Sequence, residues 1–141
     1  MTPNLFLIAG AVLSAIAALL HIGVIFGGPS WYRFFGAGER MAASAEAGHL
    51  YPVAVTLVIA GMLGVWAAYA LAGVGVLQPL PLQALVLPAI TAVYLLRGLV
   101  AVAMWLFDRR RLSAFWVWSS LVCFVYGVVH LVGLVQVWDT L

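Results

Sequence analysis

The sequence predicts an all-α fold: a polytopic membrane protein built as a bundle of four transmembrane helices. Three observations predict it. Hydrophobic residues make up 67% of the 141 positions, charged residues only 7%, and the apolar positions gather into four runs of membrane-spanning length. A water-soluble domain of this size keeps its apolar faces apart with a charged surface, and six arginines and four acidic residues are too few for that. A mean hydropathy of +1.19 points the same way.

Crossing a hydrocarbon core of ~30 Å takes about 20 apolar residues as a helix. The first such run, Leu5 to Phe26, stops at Gly27-Gly28-Pro29, where two permissive glycines and a proline break a helix. Met1 to Asn4 carries no basic segment and the apolar run is too long for a signal peptide, so it reads as a retained span. The second run, Leu50 to Leu71, has Pro52 in its first turn, where a missing N–H is harmless, and closes at Gly73 and Gly75. The third, Leu85 to Phe107, follows the proline-punctuated segment Gln78 to Pro81 and ends at Asp108-Arg109-Arg110-Arg111. The fourth runs from Ala114 to Val137. Together they read as one membrane domain over residues 1–141, with no room for a soluble one.

The connection from residue 27 to 49 has its own character. Trp31, Tyr32, Phe34 and Phe35 surround Arg33, a composition suited to the headgroup level of a bilayer. From Gly38 to Ala47 the composition favours a short interfacial helix with Glu39, Ala43, Glu46 and His49 on one face. Arg33, Arg40, Arg109, Arg110 and Arg111 all lie in the first and third connections, and the tails and second connection carry no Lys or Arg. The positive-inside rule then puts those connections in the cytoplasm and both termini outside.

The net charge of +2 does not indicate nucleic acid, because no basic stripe with interleaved aromatics occurs beyond Arg109 to Arg111. A lone cysteine, Cys123, excludes an intrachain disulfide, a CxxC pair or a thiolate metal cage. No metal site is expected.

Small and polar residues mark helix contacts in lipid. Gly10, Ser14, Ala17 and His21 trace such a stripe on span one, and Thr56, Ala60 and Gly64 trace one on span two. Tyr94, Arg97, Ala101 and Met104 do so on span three, with Ser119 or Ser120, Cys123, Gly127 and His130 on span four. Counting ~1.5 Å per residue from the cytoplasmic ends sets Ser14, Tyr94, Arg97, Tyr126 and His130 in a middle layer, with His21 and Thr56 nearer the cytoplasm. Arg97 is the only charge well inside a span, and no acidic residue lies in any span to offset it. Two readings follow: an arginine snorkelling toward phosphates, or a cavity in which Arg97, Tyr94, Tyr126, His130 and Ser14 hold an anionic or carbonyl-bearing ligand.

For His21 and His130 the plain reading is a neutral ring bonded to a carbonyl or hydroxyl. Their ~17 Å difference in depth rules out one haem between them, though a symmetric dimer brings two copies of His130 level. Glu46 and His49, with His21 nearby, are the candidates for acid–base or metal chemistry at the cytoplasmic rim; a solvated loop helix explains the spacing more readily.

The stretches Trp31-Tyr32-Arg33-Phe34-Phe35-Gly36-Ala37-Gly38-Glu39, Val93-Tyr94-Leu95-Leu96-Arg97-Gly98 and Phe115-Trp116-Val117-Trp118-Ser119-Ser120 resemble a set of small bacterial four-helix inner-membrane proteins of unassigned function. The resemblance covers nearly the whole chain and implies a bacterial plasma membrane, but supplies no activity. Small multidrug exporters carry a carboxylate in span one, which this chain lacks. Vitamin K epoxide reductase-like proteins use a CxxC that one cysteine cannot make. The polar signature of fluoride channels is missing, and the carboxylate-histidine sets of sterol isomerase-like bundles have only a faint echo in Glu46 and His49.

The leading expectation is a non-enzymatic bundle that binds or passes a small amphiphile, a lipid or a quinone. An intramembrane enzyme and a subunit of a larger membrane complex are the alternatives. Expected partners are membrane lipids and a second copy or another membrane protein. No cofactor is required, with haem or quinone the ones to consider.

Overall fold

The computed structural model describes residues 4–141. Every regular element is a helix: α1 (Leu5–Phe34), α2 (Glu39–Glu46), α3 (Tyr51–Gly73), α4 (Gln83–Gly98), α5 (Val100–Phe107) and α6 (Ala114–Val137), with single 3-10 turns at Arg109–Arg111 and Trp138–Thr140. Four candidate membrane spans occur among the described residues: Leu5–Phe34, Tyr51–Gly73, Gln83–Phe107 and Ala114–Thr140. The all-α, four-spanning class read from composition is therefore the observed one. Met1 to Pro3, part of the terminus read as lacking a basic segment, lie outside the described residues.

Large apolar side chains face outward on all four spans, and Phe26 and Phe107 are each 87% exposed. An apolar surface this continuous is stable only against lipid, where each helix satisfies its own backbone groups. The chain is a multi-pass integral membrane protein.

By internal contacts the chain forms two compact units, one of residues up to Leu13 together with Trp66–Leu141, the other of Ser14–Val65. The first unit has a core of Leu7, Ala11, Ala70, Leu87, Leu134 and Val137. Its helices approach closely where side chains are smallest. A Cβ on Gly98 would stand 2.6 Å from Phe124 Cα, and one on Gly133 would stand 2.7 Å from the Leu7 nitrogen. Packing of this kind substitutes for the hydrophobic drive that lipid removes. Asn4 starts α1 as an N-cap, accepting from the Leu7 N–H at 2.9 Å while its amide donates to the Gly133 carbonyl at 2.8 Å.

The third span is not one continuous helix. It breaks at Leu99, whose N–H is shared between the carbonyls of Leu95 and Leu96, and the Ala101 N–H leaves the helical ladder for Ser120 Oγ at 3.1 Å. The expected single run from 85 to 107 thus divides into α4 and α5. A serine on a neighbouring helix makes the break affordable by satisfying the freed donor.

In the second unit α1 kinks at Gly28, with φ 66° and ψ −152°, a conformation that glycine adopts without strain. Helix resumes after Pro29 and carries the aromatic segment. The Trp31 indole folds back on Gly27 so tightly that no side chain fits there. The interfacial helix expected between Gly38 and Ala47 is present as α2, and His49 lies beyond its end rather than on its face. Tyr32 is not a headgroup-level anchor. It is 2% exposed, packed with Val24 and Ala42, and its hydroxyl lies 3.2 Å from Thr56 Oγ1, which itself donates to the Pro52 carbonyl.

Candidate functional site

Helices α4 and α6 run antiparallel in the first unit. Gly98 meets Phe124 and Gly127 meets Leu95, which puts the Arg97 backbone level with Val125. Its guanidinium is elsewhere. Nη1 donates to Ser120 Oγ at 3.1 Å and Nη2 to Ser119 Oγ at 3.0 Å, five or six residues nearer the α6 N-terminus. At about 1.5 Å per residue the charge is displaced some ~8 Å toward the connection bearing Arg109 to Arg111. The Trp116 ring lies under it, 5.0 Å from Cζ to centroid, a cation–π contact that disperses charge where water is scarce. Ion pairs among the described residues are Arg33 with Glu39 and Glu46, and Arg111 with Asp108. Arg97 has only neutral partners and keeps donors to spare, since a guanidinium has five N–H groups.

The rest of the expected middle layer in this unit stays together without Arg97. Tyr94 lies 5.0 Å from the His130 ring and 5.6 Å from that of Tyr126, and Trp66 stands edge-on to Tyr94 at 5.0 Å. His130 is fully buried. Its Nδ1 lies 2.8 Å from the Tyr126 carbonyl, and because a carbonyl only accepts, Nδ1 carries the hydrogen of the neutral ring. Nε2 is then an acceptor, and it is the buried side-chain polar atom among the described residues that no hydrogen bond reaches. The ring lies flat against Gly10, where a Cβ would come within 2.8 Å of Cε1. The glycine on the span-one stripe exists to admit the imidazole.

The second unit holds the remaining candidates. Ser14 is fully buried. His21 Nδ1 bonds the Ala17 carbonyl at 2.7 Å. Glu46 is committed to Arg33 at 3.0 Å, and Arg33 also grips Glu39 through Nη2 at 2.8 Å and through Nε. Hydrogen bonding from Arg33 holds the Glu39 carboxyl below its ordinary pKa. His21, Glu46 and His49 do not assemble into a metal site: no group of three His, Cys, Asp or Glu side chains gathers among the described residues.

Three features were beyond the sequence reading. The stripe left Ser119 and Ser120 as alternatives, whereas both bind Arg97, because an arginine fork spans two adjacent hydroxyls. Trp66 carried no signal, being one aromatic in a uniformly apolar span. Glu39 and Glu46 were visible as a pair seven residues apart, but their joint partner Arg33 lies across the Gly36 to Gly38 turn. No protein-family model matches the chain, and neither does any curated protein or solved structure.

Proposed function

We propose that the protein is a non-enzymatic membrane component of a bacterial inner membrane that binds an anionic amphiphile, with the headgroup on Arg97. The observation that carries this reading is a cation at membrane depth held by two hydroxyls and an indole, with no carboxylate. A half-buried cation within a span is tolerated where something neutralises it, and a phosphate or carboxylate headgroup does so while using the free N–H donors.

The direction of the side chain supports the same reading. The positive-inside rule makes the Arg109 to Arg111 end cytoplasmic and both termini extracytoplasmic. Arg97 then reaches toward the leaflet surface where anionic lipids accumulate, and the fatty chains lie along the exposed apolar faces of α5 and α6.

The test is lipid retention by native mass spectrometry after reconstitution into nanodiscs of phosphatidylglycerol mixed with phosphatidylcholine. Arg97→Ala, if still folded by circular dichroism, lowers phosphatidylglycerol retention about tenfold, equivalent to ~1.4 kcal/mol. Arg97→Lys keeps part of it, as a point charge without the fork. Equal retention in wild type and Arg97→Ala overturns the proposal.

A further inference from the structure

We infer that the amphiphile on Arg97 is a lipid carrying two phosphates, and that Arg109 takes the second of them. This rests on the Arg97 reading and adds to it the class of lipid. The bond from the Ala101 N–H to Ser120 Oγ ties α5 to α6. Four residues from that tie, toward the arginine-rich connection, stand Trp105 on α5 and Trp116 on α6. In an antiparallel pair, equal steps from one contact keep equal depth, and a step of four returns to the same face of a helix. The two tryptophans therefore share one level, about 6 Å beyond Ser120.

Each of them carries a guanidinium. Arg97 comes from the span interior, is bound by Ser119 and Ser120, and lies 5.0 Å from the Trp116 centroid. Arg109 comes from the opposite direction. It follows the end of α5 but folds back one turn, Nε donating to the Trp105 carbonyl at 2.9 Å and Cζ standing 4.3 Å from the Trp105 centroid. An arginine that only orients a span extends into water, whereas this one is turned back along the helix. Two cations are thus gathered within about one helical turn of depth, each on its own indole and each with neutral partners. Like charges brought together in this way repel unless anions lie against them.

The charge count sets the number of phosphates. From residue 97 to 113 the chain has four arginines and one acid, Asp108, which lies 3.1 Å from Arg111. Arg97, Arg109 and the exposed Arg110 have no carboxylate partner among the described residues. A single phosphodiester offsets only one of these three cations. Two phosphodiesters joined through one glycerol reach Arg97 and Arg109 in one molecule, and once the first is bound the second binds intramolecularly. Both Nη groups of Arg109 remain to donate, because its backbone contact uses Nε alone. Basic sites at the ends of neighbouring spans suit such headgroups. Exposed apolar side chains on the same two helices, Val102 and Leu106 on α5 and Val117 and Leu121 on α6, meet the acyl chains.

The test is competition in nanodiscs of phosphatidylcholine that contain cardiolipin and phosphatidylglycerol at equal phosphate, read by native mass spectrometry. Wild-type protein is expected to retain cardiolipin over phosphatidylglycerol by about tenfold. Arg109→Gln removes most of that preference. Arg40→Gln, which deletes the same charge from the exposed face of α2, keeps it. Added pyrophosphate leaves the cardiolipin in place. The inference is overturned if wild type retains the two lipids equally, if Arg40→Gln and Arg109→Gln lower the preference alike, as a general attraction to positive charge would, or if pyrophosphate displaces the lipid, which would assign the two arginines to a soluble diphosphate. Loss of phosphatidylglycerol in Arg97→Ala without a cardiolipin preference in wild type sinks this inference and leaves the Arg97 reading standing; no change of either lipid in Arg97→Ala sinks that reading itself. The lipid comparison uses the unmodified chain, so misfolding of a variant cannot decide it.

Discussion

Two arginines of this chain, Arg33 and Arg97, solve the same problem in opposite ways. Arg33 lies within the aromatic segment after the Gly28 kink and is paired with two carboxylates, Glu39 and Glu46, all three side chains being well exposed. Arg97 starts from the interior of a span and has no carboxylate, only Ser119, Ser120 and Trp116. The better-paired arginine is the less consequential one. Water already solvates Arg33 and its partners, so their attraction is screened and each ordered side chain costs entropy. Arg97 is half-buried with no carboxylate beside it among the described residues, so its contacts with Ser119, Ser120 and Trp116 tie α4 to α6 and constrain how they pack.

That contrast can be broken most severely at Gly98. Gly98→Leu drives a side chain into the Phe124 backbone and separates the helices that hold Arg97 and its serines. The expected loss is about 2–3 kcal/mol, measured by thermal unfolding in detergent micelles. Unchanged stability would mean that α4 and α6 are not held at this distance. Ser120→Ala comes next, because one hydroxyl serves both the Arg97 guanidinium and the Ala101 N–H. It should cost about 1–2 kcal/mol and speed hydrogen exchange at the Ala101 amide, marking a looser break at Leu99.

The smallest effect is expected at Glu39. Glu39→Gln should leave the melting temperature unchanged in high salt and lower it slightly in low salt. The pH dependence has a definite sign. Arg33 depresses the Glu39 pKa in the folded state, so the pair's contribution is present above the ordinary glutamate range. It disappears as pH falls through the lowered value. A stability loss on acidification that is the same in Glu39→Gln as in wild type would assign it to another group.

Much of this was legible in residue order. Leu5 to Phe26 and Ala114 to Val137 were readable as spans because lipid demands a length of apolar sequence and nothing subtler. The α2 helix was readable from its composition, and the Gly27-Gly28-Pro29 break from backbone chemistry. The interior of the third span was not: Gly98 alone does not mark a division, and the Ser120 hydroxyl of α6 that accepts from the Ala101 N–H just beyond Leu99 is distant in sequence. Tyr32 was misassigned for a related reason. An aromatic beside an arginine suits the interface, but Thr56 and Ala42, distant in sequence, give its hydroxyl a partner and its ring a wall.

Arg97 shows where the boundary falls. Sequence alone determined that a cation sits inside the third span without an acidic residue in any span, because both are matters of order and count. It also placed Tyr94, Tyr126 and His130 at one depth, since a helix rises evenly. Only the tertiary structure decided that Arg97 leaves that depth for Ser119 and Ser120, and that His130 remains behind with an open acceptor. A long side chain goes to whichever neighbour can replace its lost water, and the facing helix determines which neighbour that is.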